Sequence, residues 1–201
     1  MAGQESTSTT MEVVAARLED PAAAPLLEGL LREYTSRYGE GAVREFDRHP
    51  TGLFTAEHGG ALLLLVEHGR TVAGGALRSF DPALAVRGVL DPDFPDRPTT
   101  EFKRIWTHAE HRRRGLGRRV LDELERRAAQ LGYRQVFLTT GPSQPEAVAL
   151  YLAAGYTELA DPGAAERGHP VHPFIKPLSP ARGRPAADRP ASGSAPYSAE
   201  S

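Results

Sequence analysis

The sequence predicts a mixed α/β domain around one central sheet, and three observations lead there. An apolar stripe at helical spacing runs through Leu26, Leu27, Leu30, Leu31, Tyr34 and Tyr38. Two β-prone runs flank the short turn His68-Gly69-Arg70 and read as a hairpin. Downstream, two strand-then-helix units follow one another, each helix closed by a glycine, and a last short strand ends the pattern.

In chain order, Met11 to Leu18 is β-prone. Asp20-Pro21 supplies an N-cap followed by proline at the first helical position, so a helix is expected there, with Gly39 and Gly41 closing it. Ala61 to Glu67 and Thr71 to Ser79 are the hairpin strands. The Pro- and Asp-rich stretch from Phe80 to Pro98 reads as a loop, longer than most connections in compact domains and taken as an insertion rather than a lid. Glu101 to Thr107 is strand-like. Leu116, Val120, Leu121, Leu124, Ala128 and Leu131 then form the apolar stripe of a helix that Gly132 ends. Gln135 to Thr140 is another strand. Ser143 and Glu146 have capping-box spacing for a helix from Pro145 to Ala154, closed by Gly155, and His172 to Lys176 is the final strand.

Composition narrows the function. The chain has 201 residues and no cysteine, which suits a single soluble domain and excludes disulfides, thiolate metal sites and a cysteine nucleophile. Its longest apolar run, Ala61 to Val66, is far short of the roughly 20 residues of a membrane span. The N-terminus lacks the basic and apolar regions of a signal peptide, so a cytoplasmic location is expected. Residues 1–10, small and polar, and residues 178–201, rich in Pro, Ala, Ser and Arg, bury too little apolar surface to offset their ordering entropy. They are expected to be disordered around a domain of residues 11–177. A net charge of -2 argues against a dedicated nucleic-acid or membrane-surface partner.

That near-neutral total hides a local concentration. Arg112-Arg113-Arg114-Gly115-Leu116-Gly117 lies between a strand and the start of a helix, and seven arginines between 112 and 127 face only three carboxylates. Glycines at a helix start bring backbone N–H groups close to an anion, and the helix dipole favours negative charge there. Phosphate is the natural ligand. No Lys-Ser or Lys-Thr follows the glycines and no third glycine completes a dinucleotide fingerprint.

Here the sequence resembles the GNAT superfamily of acetyl-CoA-dependent N-acetyltransferases. The resemblance rests on EFKRIWTHAEHRRRGLGRRVL, similar to that family's [RQ]-x-x-G-x-[GA] motif on its preceding strand, and on ALYLAAGY, similar to its second signature. It implies a GNAT-type mixed central sheet flanked by helices, with two central parallel strands splayed apart. It also implies acetyl-CoA as cosubstrate and no metal. The CoA pyrophosphate would sit on the backbone N–H groups of Arg112, Arg113, Arg114, Gly115, Leu116 and Gly117, with Arg118 flanking. Pantetheine would pair with the strand edge at Ile105, Trp106 and Thr107, although Trp106 also suits an ordinary core. Tyr151 matches the family's tyrosine that protonates the departing thiolate, and a phenol with pKa near 10 is protonated at neutral pH. Glu101 stands where some members carry a carboxylate general base, or it is simply exposed and paired with Lys103 or Arg104. Two departures are visible: Thr139 replaces a Glu found in some relatives, and Gln144 replaces an Asn that touches the cofactor in others.

The implied reaction is direct acetyl transfer to a primary amine in a ternary complex, with a small-molecule acceptor preferred over a protein and a homodimer compatible with the reading. Without Cys or a G-x-S-x-G elbow, no acyl-enzyme is expected. A second reading is a non-catalytic CoA-binding module of the same fold acting on a partner. A third, a nucleic-acid binder using the Arg112 to Arg127 stripe, lacks aromatic interleaving. His108, His111 and His172 lack metal-ligand spacing and read as surface or core histidines.

Overall fold

A computed structural model describes residues 10–39, 51–81 and 97–179 of the chain. Residues 1–9 and 180–201 of the expected disordered ends and most of the Phe80 to Pro98 stretch lie outside the described residues, while Leu178, expected in the tail, donates its N–H to the Arg134 carbonyl at 2.8 Å and packs on the core. The elements are β1 (Met11–Ala16), α1 (Ala24–Tyr38), β2 (Ala61–Glu67), β3 (Arg70–Ser79), β4 (Thr99–Thr107), α2 (Leu116–Gln130), β5 (Gln135–Thr140), α3 (Pro145–Ala153), β6 (Thr157–Glu158), α4 (Ala164–Arg167) and β7 (His172–Pro177). The seven strands form one sheet in the order β1-β2-β3-β4-β5-β7-β6, antiparallel except for the β4/β5 pair. Among the described residues no helix is long and apolar enough to cross a membrane.

β2 shows why a continuous apolar run forms a strand here. Its alternate residues bury into opposite cores: Leu62 and Leu64 join Leu26, Leu30 and Trp106 under α1, while Leu63 and Leu65 join Val120, Leu121, Leu124 and Tyr151 under α2 and α3. Both helix layers close in on the same pair of glycines in β3. A Cβ on Gly74 would lie 2.7 Å from Leu26, and one on Gly75 would lie 2.9 Å from both Val120 and Leu124. Absent side chains at the sheet centre thus set the depth to which α1 and α2 settle.

β4 carries one residue too many for its partner. Gly74 pairs with Trp106 and Ala76 with Lys103, so three steps on β4 oppose two on β3. Phe102 and Ile105, three apart, therefore both face the α2 core, and the surplus is taken up near Arg104, whose φ is +57°. On the other edge, β4 pairs with β5 only from Thr99 to Glu101, opposite Gln135 to Phe137. Beyond Glu101 the two parallel strands part, as the resemblance implied. β5 continues to pair with β7 on its far side through Thr140.

Two local expectations need correction. Asp20 does not cap α1: its carboxylate accepts the Arg17 N–H at 2.7 Å, a short 3-10 turn over Pro21–Ala23 intervenes, and the helix starts at Ala24. Nor do Ser143 and Glu146 form a capping box. Gln144 is the N-cap of α3, which puts Glu146 one position too early to reach back, and its carboxylate pairs with Arg37 of α1 instead. The two-residue β6 and the one-turn α4 are additions that no sequence periodicity marks.

Gly29 in α1 packs closely on Trp106, and a Cβ at Gly29 would fall 2.4 Å from the indole. Gly29→Ala is expected to destabilise the chain by about 1–3 kcal/mol through overpacking. Denaturant unfolding followed by fluorescence reads this directly, because Trp106 is the chain's only tryptophan. Unchanged stability would mean that α1 sits further from the sheet.

Candidate active site

The parting of β4 and β5 positions every group described below. From Phe102 to Thr107, the edge of β4 facing β5 has no strand partner among the described residues, which opens a gap in the middle of the sheet lined by backbone. Trp106 itself is core: its ring is buried under α1, and only the backbone of Ile105, Trp106 and Thr107 remains for a ligand on that edge.

The arginine-glycine loop follows β4. Gly115 is the N-cap of α2 with a left-handed φ of +75°, and a Cβ there would meet nothing, so the helix start is open. Arg119 makes the first-turn hydrogen bond to the Gly115 carbonyl at 3.1 Å, so the N–H groups of Leu116, Gly117 and Arg118 lack intrahelical acceptors. Gly117 faces Leu150 of α3, where a Cβ would come within 3.1 Å. Arg113 is exposed and held at φ +59°, a conformation costly for a side-chain-bearing residue. These features fit an anionic group at the helix start.

The loop's other arginines have partners. Arg114 makes a two-pronged pair with Glu67 of β2, at 2.7 and 2.9 Å, and holds that carboxyl below the usual carboxylate range. Arg118 reaches Asp122 at 2.9 Å and the Ala153 carbonyl at 3.2 Å. Arg112 reaches Glu33 of α1 at 3.2 Å. His108, Glu110 and His111 bring three ligand-type atoms within 4.8 Å of one another, but the Nδ1 atoms face donors: the Glu110 N–H on His108 and the Arg114 guanidinium on His111.

Glu101 stands at the parting point, fully buried. Arg78, itself 1% exposed, pairs with one of its oxygens at 2.5 Å, and Lys103 reaches the other at 2.8 Å. Gln144 is turned inward, its side-chain oxygen accepting from the Thr140 hydroxyl and from the Gly141 N–H.

Tyr151 projects from α3 into the α2 core, its ring 5.8 Å from Tyr156 and 5.4 Å from Phe174. Burial pushes its phenol well above the ordinary value, and Tyr34 adds to the rise. Tyr34 belongs to α1, in the opposite helix layer. Tyr38 and Arg37 span the gap between β4 and β5. The Tyr38 hydroxyl accepts from the Ser143 N–H at 3.3 Å, while Arg37 donates to the Ser143 carbonyl and pairs with Glu146 and Glu33. In the sequence Tyr34 and Tyr38 lie on an apolar stripe, and nothing there singles out Glu33, Arg37, Glu67 and Arg78. No local pattern marks these four, because each meets its partner across a sequence separation of more than 20 residues or through a helix face that looks ordinarily solvated.

Beside the gap, on the α1 side, lies an open cleft of about 340 Å³ bordered by Glu33, Arg37, Trp106, His108 and Arg112. The site therefore has two compartments. One is the bare edge of β4 running to the start of α2, and the other is this cleft.

Tyr156 is also pushed up, first by burial and then by the Glu125 carboxylate that accepts its O–H at 3.0 Å. Unfolding returns such phenols to about pH 10, so above that pH the unfolded chain sheds protons first and stability falls. Tyr151→Phe removes one of these protons. Denaturant titrations between pH 10 and 11.5 should then show stability falling less steeply, by up to about 1.4 kcal/mol per pH unit. Parallel slopes for the two proteins would place the phenol in water.

Comparison with known proteins agrees with the geometry. The family described as "Acetyltransferase (GNAT) family" matches residues 24–156. Among solved structures, an acetyltransferase of the GNAT family from Staphylococcus aureus is 13% identical with a TM-score of 0.61, covering 85% of this chain and 100% of that one. An acetyltransferase from Streptococcus agalactiae is 16% identical with a TM-score of 0.59, covering 84% and 98%. The GNAT domain of the S. lividans protein PAT is 15% identical, also with a TM-score of 0.59, covering 84% and 90%. These identities speak for the fold alone, and no curated protein sequence matches the chain. With the family match spanning β4, the arginine-glycine loop, β5 and Tyr151, the chain belongs to the GNAT acetyltransferase family and is an acyltransferase.

Proposed function

We propose that the protein transfers an acetyl group from acetyl-CoA to a primary amine, on a small molecule rather than a protein, by direct attack within a ternary complex. The observation that carries this reading is the bare β4 edge, which leads to the open start of α2, with Tyr151 buried in the core that packs on the same sheet. Backbone groups at Ile105, Trp106 and Thr107 hold the pantetheine amides as an added strand would. The N–H groups from Arg112 to Gly117, with Arg113 and Arg118 flanking, receive the pyrophosphate. The bound thioester would supply an activated carbonyl, at which a neutral amine, its ammonium proton already lost to water, forms a C–N bond as the C–S bond breaks and then gives up its surplus N–H proton to water.

The chain's residues do the rest. Tyr151, kept neutral by its apolar surroundings, donates its proton to the departing sulfur. Gln144 holds the turn between β5 and α3 rather than the cofactor. Glu101, closed in by Arg78 and Lys103 and shut from solvent, anchors the parting point rather than touching an amine. This assignment replaces the base role that its position suggested.

Binding of CoA, followed by thioester consumption across a panel of small amines, tests the reading. CoA binding without turnover of any amine would favour the non-catalytic alternative. Tyr151→Phe should lower kcat by roughly 10²-fold, the lower end of a general-acid contribution, with CoA affinity unchanged. Turnover independent of this substitution from pH 6 to 9 would remove the acid role. Separately, Glu101→Gln should leave Arg78 buried beside a neutral partner and destabilise the chain by about 3–5 kcal/mol, read as a lower midpoint of unfolding. A stable variant impaired only in turnover would restore Glu101 as a catalytic group.

A further inference from the structure

Four charged side chains form one alternating row across the mouth of the gap. Glu146 at the start of α3 pairs with Arg37 of α1, Arg37 pairs with Glu33 at 2.6 Å, and Glu33 pairs through its other oxygen with Arg112 at 3.2 Å. The members differ in how firmly they are held. Arg37 is 20% exposed and has three acceptors, whereas Arg112 is 48% exposed and, among the described residues, has one ion pair, with Glu33. Arg112 also begins the loop that leads to the open start of α2. It thus borders two sites at once, the cleft with Glu33 and the anion-binding loop.

We propose that Glu33 is the carboxylate that receives the ammonium group of the acceptor, and that Arg112 covers it until a cofactor phosphate draws the guanidinium away. The inference rests on the acetyltransferase reading above and adds a site and an order to it. Glu33 is the carboxylate that borders the cleft, next to Trp106 and His108. With both oxygens occupied by guanidinium groups it has little left to offer a cation. A half-exposed ion pair of this kind contributes at most about a fivefold factor. Arg to a phosphate is a stronger, bidentate match, so the exchange runs towards the cofactor when it is present. One oxygen of Glu33 is then free on the cleft side, while Arg37 still fixes the other. Cofactor binding and amine binding become coupled, and each strengthens the other by the same factor.

The test uses the full chain and two probes, CoA and n-butylamine, the latter an ammonium ion at pH 7. Measured calorimetrically, Arg112→Ala should weaken CoA binding about fivefold or more. Glu33→Gln should tighten it about two- to fivefold when Arg112 is present and have less than half that effect in the Arg112→Ala background. Effects that simply add would overturn the sharing of Arg112, since repulsion between Glu33 and phosphate acts equally in both backgrounds. In NMR titrations, n-butylamine should bind the CoA-saturated chain at least about fivefold more tightly than the free chain. The enhancement should vanish in Glu33→Gln and survive in part in Glu33→Asp. Equal affinity in both states, undiminished binding to Glu33→Gln, or no binding to the CoA-saturated chain would overturn the acceptor site. Arg37 keeps Glu146 and the Ser143 carbonyl in these variants, so unchanged thermal unfolding is expected and checks that the fold persists. Failure of the unaltered chain to bind CoA at all would instead overturn the acetyltransferase reading.

Discussion

The parting of two parallel strands after three paired residues is the constraint from which the rest of this molecule follows. A sheet interior normally satisfies every backbone group, yet from Phe102 to Thr107 no strand among the described residues pairs with one edge of β4. Such an edge is costly to leave and also ready to bind an extended ligand. Two features hold the strands apart. β5 is tied to β7 along its whole length, and the extra residue on β4 turns that strand against β3 at Arg104. Across the opening α1 reaches the turn before α3, where Tyr38 and Arg37 bond to the backbone of Ser143.

Holding a sheet open in its middle requires firm packing elsewhere. Gly74 and Gly75 let α1 and α2 approach β3 from its two faces at the same level, so each core closes over the hairpin rather than over the gap. Glu101, Arg78 and Lys103 form a buried charged wedge at the last paired position. Well-packed apolar groups would often be at least as stable as such a cluster. Its value lies in direction: a charge pair has a geometry, and this one ties β3 to β4 at the point where β4 leaves β5.

Much of the basic charge that stands out in the sequence is spent on internal ties. Arg114 anchors the loop to β2 through Glu67, Arg118 and Arg126 pair within α2, and Lys176 clamps Glu125 at 2.7 and 2.8 Å. The anion site therefore depends more on oriented N–H groups at the start of α2 than on the number of arginines. Arg113 remains exposed, and Arg112 is held by a weak pair, which is the arrangement a binding loop needs.

The sequence by itself determined the element order, nearly all strand and helix positions, and the loop and tyrosine motifs. Each rests on local physics: alternation or helical spacing of apolar residues, glycines such as Gly39, Gly132 and Gly155 with positive φ at helix ends, and a glycine-bearing turn at Gly69. Where local signals failed, a distant partner had prevailed. Glu146 matched a cap by spacing but is drawn to Arg37, 109 residues away, and Glu101, which could have been an exposed strand-end carboxylate, is buried against Arg78. Only the tertiary structure decided the register that leaves β4 bare, the row from Glu146 to Arg112, and the cleft beside Glu33. Charge pairs and gaps of this kind arise where segments far apart in the chain meet, and no spacing within one segment encodes them.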